Sequence, residues 1–137
     1  MLEKLYLRNL RYPESQEIRP ILTFLCNSLG ITDSDSIKLF ITLFVKSKYG
    51  KGVTLQELSG ELNLNMKKTS QILDEFMDLG WIRNSRDKFM LRENSLAMTL
   101  DSVLDDIFMI SRNLKRACVI VDRKATKNAV DKIIEEW

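Results

Sequence analysis

Two cysteines, Cys26 and Cys118, and the adjacent carboxylates Asp105 and Asp106 are the residues whose types could carry reactive chemistry in this chain. The sequence supplies no histidine to activate any of them. The 137 residues include no histidine, the side chain that titrates near neutral pH and serves as the commonest general base and metal ligand. Ser-His, Cys-His and His-metal chemistries are therefore excluded together. Two cysteines without a C-x-x-C spacing cannot complete a zinc site unless carboxylates or a second chain contribute, so neither metal nor cofactor is expected. Each cysteine lies in an apolar run, which favours two free, buried thiols over a disulfide between them. Asp105 and Asp106 diverge if they lie on a helix, and the five glycines form no phosphate-cradling loop. The chain reads as a non-enzyme.

The charges are segregated, although the net charge is only +2. Between Asn65 and Arg92, Lys67, Lys68, Arg83, Arg86, Lys88 and Arg92 stand against Asp74, Glu75, Asp78 and Asp87. Between Arg112 and Lys127 six basic residues stand against Asp122 alone. Acidic residues gather instead at Asp101, Asp105 and Asp106 and at Asp131, Glu135 and Glu136. Blocks of this kind also occur as ordinary solvated helix faces. A hydrophobic fraction of 45% with 29% charged residues is that of a folded globular chain, and the length suits one domain. The N-terminal residues lack the apolar core of a signal peptide, and no apolar run is long enough to span a bilayer, so a cytoplasmic protein without membrane contact is expected.

These residues are positioned by a series of helices. Leu2 to Tyr12 reads as a short helix or an arm. Pro20 suits a first helical turn, and Ile21, Leu22, Leu25, Cys26 and Leu29 follow helical spacing until Gly30. After the Thr32-Asp33-Ser34 capping cluster a second helix runs to about Lys48 and is closed by Gly50. Its apolar residues occupy nearly every side, which predicts burial among other helices. A Tyr49-Gly50-Lys51-Gly52 linker leads to Thr54 and Glu57, the spacing of a capping box. A helix then ends near Leu62, Asn63 makes the turn, and Asn65 caps a helix over 66–79 that turns Thr69, Leu73, Phe76 and Leu79 inward before Gly80. Trp81-Ile82, a polar Asn84-Ser85-Arg86-Asp87 turn and Phe89-Met90-Leu91 predict a two-stranded antiparallel hairpin.

The stretch TLQELSGELNLNMKKTSQILDEFMDLGWI, within residues 36–92, resembles the winged helix-turn-helix core of transcription regulators, above all the MarR-like and related archaeal groups. Leu55, Glu57, Leu58 and Leu62 match the first helix, Leu64 and Asn65 the turn. Thr69, Leu73 and Phe76 match the recognition-helix core, and Leu79-Gly80-Trp81-Ile82 the step into the wing. Asn63 replaces the usual turn glycine, and Thr69 the usual valine. The implied fold is mainly α with a small two-stranded β wing, carrying added N-terminal helices over 1–33 and a long C-terminal helical region over 93–137.

The resemblance implies sequence-specific binding to double-stranded DNA, with helix 66–79 in the major groove. Lys67, Lys68, Ser70 and Gln71 would face the bases: Gln71 suits a bidentate pair with adenine, the lysines guanine or phosphate. Arg83, Arg86 and Lys88 would reach backbone or minor groove from the wing. The amides at the helix starts of Thr54 and Asn65 would serve phosphate. Asp74 and Asp78 would mark the end of the contact.

Leu96, Leu100, Val103, Ile107, Ile110, Leu114, Ala117 and Val121 step by four and three residues, the spacing of a heptad seam, with Ser95 as its cap. Ala117 to Val121 also suits a short strand. A seam this long needs cover, either from the tail stripe Ala129, Val130, Ile133, Ile134 and Trp137 or from a second protomer. A homodimeric transcription regulator is the leading expectation. The alternative is a winged-helix protein-interaction or non-specific DNA-binding module of a larger assembly. No residue demands a small-molecule effector.

Overall fold

The computed structural model describes residues 2–48 and 51–137. It contains α1 (Ile18–Ser28), α2 (Ser34–Lys46), β1 (Val53–Thr54), α3 (Leu55–Leu62), α4 (Met66–Asp78), β2 (Ile82–Ser85), β3 (Lys88–Leu91), α5 (Leu96–Lys124) and α6 (Lys127–Glu136). The chain gathers into two compact units, one ending at Val103 and one comprising Leu104–Trp137, and the division falls within α5. The expected Gly50 stop and the Tyr49-Gly50 start of the linker lie outside the described residues.

Local capping explains most helix boundaries. The Asp33 carboxylate accepts from the Ser36 N–H at 3.0 Å, Thr54 Oγ1 from Glu57 at 3.2 Å, Asn65 Oδ1 from Lys68 at 2.7 Å and Ser95 Oγ from Met98 at 3.1 Å. Each accepts one of the orphan donors of a first turn. α3 ends at Asn63 with φ 53°, the left-handed value expected of it. α1 and α4 end in the same closure. Gly30 N–H reaches Asn27 and Ile31 N–H reaches Cys26, while Gly80 N–H reaches Met77 and Trp81 N–H reaches Phe76. Both glycines are left-handed, at φ 78° and 82°, where a Cβ is disfavoured.

The sheet differs from the expected two strands. It has three, in the order β1-β3-β2 and antiparallel throughout, because Val53 pairs with Phe89 and Thr54 with Lys88. The hairpin turn is also tighter than expected. Asn84 and Ser85 belong to β2, paired with Phe89 and Lys88, and Arg86-Asp87 alone form the loop at φ 53° and 62°. Two left-handed residues give the twist of a type I′ turn, which flanking strands favour.

Leu39, Phe40, Leu43, Leu58, Leu73 and Phe76 form the centre of the first unit with Trp81, Ile82, Leu91 and Val103. Phe40 joins its layers edge-to-face, 5.6 Å from Phe76 and 6.2 Å from Trp81. The inward residues of α4 are those expected, with Ile72 added. α2 is less enclosed than its composition suggested: only Leu39, Phe40 and Leu43 of its own residues are buried, and Val45 is exposed. Beyond its end, the Ser47 hydroxyl donates to the Leu43 carbonyl at 2.6 Å and accepts from the Leu91 N–H at 3.2 Å, tying α2 to β3.

The N-terminal residues form an extended arm, not a short helix. Glu3 and Lys4 donate their N–H groups to the Asp78 carbonyl at 2.7 and 3.1 Å, and Arg8 donates to Ser28 at 2.8 Å. Leu2 is buried against Gly80, and the Tyr6 ring lies where a Cβ on Gly30 would stand. The arm thereby straps the C-terminal turns of α4 and α1.

In the second unit α5 continues without a break through Ala117–Val121, so the strand alternative is overturned. Thr126 caps α6, accepting from Ala129 at 3.4 Å. No residue of Leu104–Trp137 is buried, and the tail leaves Leu114 61% and Val121 59% exposed. Cys118 is exposed too, contrary to expectation. Cys26 is fully buried, and burial pushes its thiol pKa up; both cysteines are free. Among the described residues no helix is long and apolar enough to cross a membrane.

Candidate nucleic-acid interface

α4 is positioned by its buried face. Thr69, Ile72, Leu73 and Phe76 hold it against the core, and this leaves Lys67 and Gln71 exposed and Ser70 half-buried on its outward side. Thr69 satisfies its own hydroxyl by donating to the Asn65 carbonyl at 2.9 Å. The left-handed Asn63 reverses the chain between α3 and α4, and the Leu64 N–H closes that turn on the Ser59 carbonyl at 3.1 Å.

Three of the sequence-predicted residues have prior engagements. The Thr54 hydroxyl and the Asn65 amide oxygen are helix caps, so what they leave for a ligand is the backbone of the first turn. The Lys68 ammonium is ion-paired with the Asp35 carboxylate in the first turn of α2. This hydrogen bond, strengthened by Coulomb attraction, holds its pKa above the ordinary lysine value. Partial burial pushes the neighbouring Asp33 carboxyl up, but hydrogen bonds from Ser36, with the nearby Lys68 charge, outweigh it and leave it below its ordinary value.

The C-terminal half of α4 is closed off differently. Lys4 Nζ meets Glu75 Oε2 at 2.6 Å, and the Asp78 carbonyl carries the arm. The Glu75 hydrogen bond holds the Lys4 ammonium above its ordinary value. Only the N-terminal half of α4 therefore presents basic and amide side chains.

The hairpin follows α4 directly through Gly80 and Trp81. Arg83, on edge strand β2, is exposed. So are Arg86, at the turn, and Lys88, on central strand β3. The Lys88 stem passes close to Gly52, where a Cβ would meet its own Cβ at 2.6 Å, so this lysine is directed by the β1 pairing. Asp35, Lys4 and the exposed Lys51 beside β1 were missed. Asp35 is 33 residues from Lys68, and no local pattern links them.

The seam residues are divided between the two units. Val103 is only 2% exposed and belongs to the first core, so it is not available to a second protomer, whereas Leu100, Ile110, Leu114 and Val121 are exposed and Leu96 and Ile107 half-buried. Among the described residues no three His, Cys, Asp or Glu side chains are grouped so as to hold a metal ion. In comparisons with known proteins, no family model and no curated protein matches the chain.

Proposed function

We propose that this chain is a winged-helix regulator of transcription that binds double-stranded DNA sequence-specifically as a homodimer. In this reading α4 enters the major groove and the β2–β3 hairpin is the wing, on backbone or minor groove. One observation carries it: an α4 held by four buried residues turns Lys67, Ser70 and Gln71 outward and leads directly into a hairpin bearing Arg83, Arg86 and Lys88. Amide and hydroxyl side chains in the first turns of a groove-sized helix are the groups that read base edges. Flanking cations position the duplex.

The test is selection from random duplexes at stated salt, followed by titration of the selected site. Lys67→Ala with Gln71→Ala is expected to lower affinity at least tenfold, since a bidentate base contact contributes about 1–3 kcal/mol of discrimination. Unchanged affinity overturns the assignment of α4. A sequence-indifferent binding module is favoured by the neutralisation of Lys68 by Asp35 in the first unit and, separately, by the exposed basic run Arg112, Lys115 and Arg116 in the second. The same selection, if it enriches no sequence while binding stays salt-sensitive, decides for that module.

A further inference from the structure

We infer that the cavity beneath the N-terminal arm binds a small arylalkylammonium ion, its ammonium group at Asp33 and Glu75 and its ring against Tyr6 and Phe76. The site lies wholly within the first unit and does not rest on the duplex-binding reading. The cavity measures about 280 Å³ and is lined from the arm, the α1–α2 turn and the C-terminal half of α4. That volume is at the small end for organic ligands.

Its lining is apolar with a few polar groups of one sign. Leu29, Ile31, Phe76 and Leu79 are buried side chains, and the Tyr6 ring of the arm adds an aromatic surface. Gly30 makes room for that ring: a Cβ there would stand 2.5 Å from Tyr6 Cδ1, and its φ of 78° is left-handed. Asp33, Ser36 and Glu75 supply the polar groups, and among the described residues no lysine or arginine lines the cavity. Such a lining selects a ligand with an apolar body and a positive charge.

Lys4 shows which cation this lining accepts. Close to Tyr6 on the arm, its ammonium meets Glu75 Oε2 at 2.6 Å, so an alkylammonium from within the chain already sits on one of the two carboxylates. Neither carboxylate is saturated. Asp33 accepts from the Ser36 N–H through Oδ2 and Glu75 from Lys4 through Oε2, whereas an ionised carboxylate has about four acceptor sites. The Lys68 charge also bears on Asp33, but that ammonium is held by Asp35. A hard metal ion is the wrong occupant, because two carboxylates and one hydroxyl fall short of the roughly six oxygens it requires. An ammonium group is satisfied by fewer, and aromatic faces attract it further.

Calorimetric titration of the intact chain with 2-phenylethylammonium tests the site. Saturable binding is expected. The neutral analogue 2-phenylethanol should bind about tenfold more weakly, since two exposed ion pairs are lost together, and the anion 3-phenylpropionate should not bind. Asp33→Asn keeps the α2 cap, because asparagine caps as well as aspartate, and Glu75→Gln keeps the size of an exposed side chain. Each is expected to weaken binding of the ammonium about two- to fivefold. Lys4→Gln removes the internal competitor for Glu75 and should strengthen binding by a similar factor. Absence of saturable binding by the unaltered chain overturns the inference, as does an alcohol that binds as tightly as the ammonium or an affinity unchanged in both carboxylate variants. The comparison of analogues needs no substitution, so charge selectivity is read on the native fold even where a variant is unstable. No measurement contains DNA, and a negative result therefore overturns the ligand site alone.

Discussion

Lys68, on the outward side of α4, is ion-paired with Asp35 in the first turn of α2. A cation that a groove-binding helix could direct at phosphate is thus held by a carboxylate of the same fold.

Asp35→Asn releases that ammonium. Duplex affinity at low salt is expected to rise about two- to fivefold, the range set by the small free energy of an exposed ion pair. The salt slope should steepen by about 0.9, one further phosphate neutralised. Titration of one duplex at several salt concentrations checks both. Lys68→Ala in the unaltered chain should change little, which distinguishes this lysine from Lys67.

The hairpin turn holds two non-glycine residues in the left-handed region, Arg86 and Asp87. Asp87→Gly removes one of these penalties and should stabilise the fold by about 0.5–1 kcal/mol, read from thermal or urea unfolding. Arg86→Asn should stabilise similarly while weakening the proposed duplex binding, because it improves the turn and removes a cation together. Stability and affinity would then move in opposite directions.

Two buried serines make opposite predictions. Ser59 Oγ is buried without a hydrogen-bond partner, so Ser59→Ala should raise stability by about 1 kcal/mol. Ser47 Oγ serves both the Leu43 carbonyl and the Leu91 N–H, and Ser47→Ala should lower stability by about 1–3 kcal/mol by stranding the Leu91 donor. Unfolding midpoints of the two variants against the parent decide the matter.

The Asp33 cap should make part of the stability pH-dependent. Its carboxyl lies below the ordinary aspartate value in the folded chain, so its contribution is complete above the unfolded pKa of about 4 and is lost as pH falls through the lowered folded value. Asp33→Ala should cost about 1 kcal/mol at neutral pH, and the difference from the parent should shrink in acid. A difference that persists unchanged at pH 2 would assign the effect to packing. Lys68 works in the other direction: its folded pKa is raised, so the contribution of its pairing is complete below the unfolded lysine value of about 10.4 and is lost as pH rises through the higher folded value.

Helix starts and stops are legible in the chain's own residues. Thr54, Asn65 and Ser95 cap through groups three residues away, Asn63 and the glycines at 30 and 80 turn left-handed in place, and the inward face of α4 follows from spacing alone. Such signals act over one helical turn, so neighbouring residues suffice to reveal them. The outward residues of α4 were legible for the same reason, as the complement of its buried face. Long-range packing, by contrast, makes Val53 a third strand opposite Phe89, lays Leu2 on Gly80, draws Val103 into the first core and holds Lys68 against Asp35. Each of these joins residues distant in the chain. Their meeting depends on how whole elements pack, and no local periodicity encodes that.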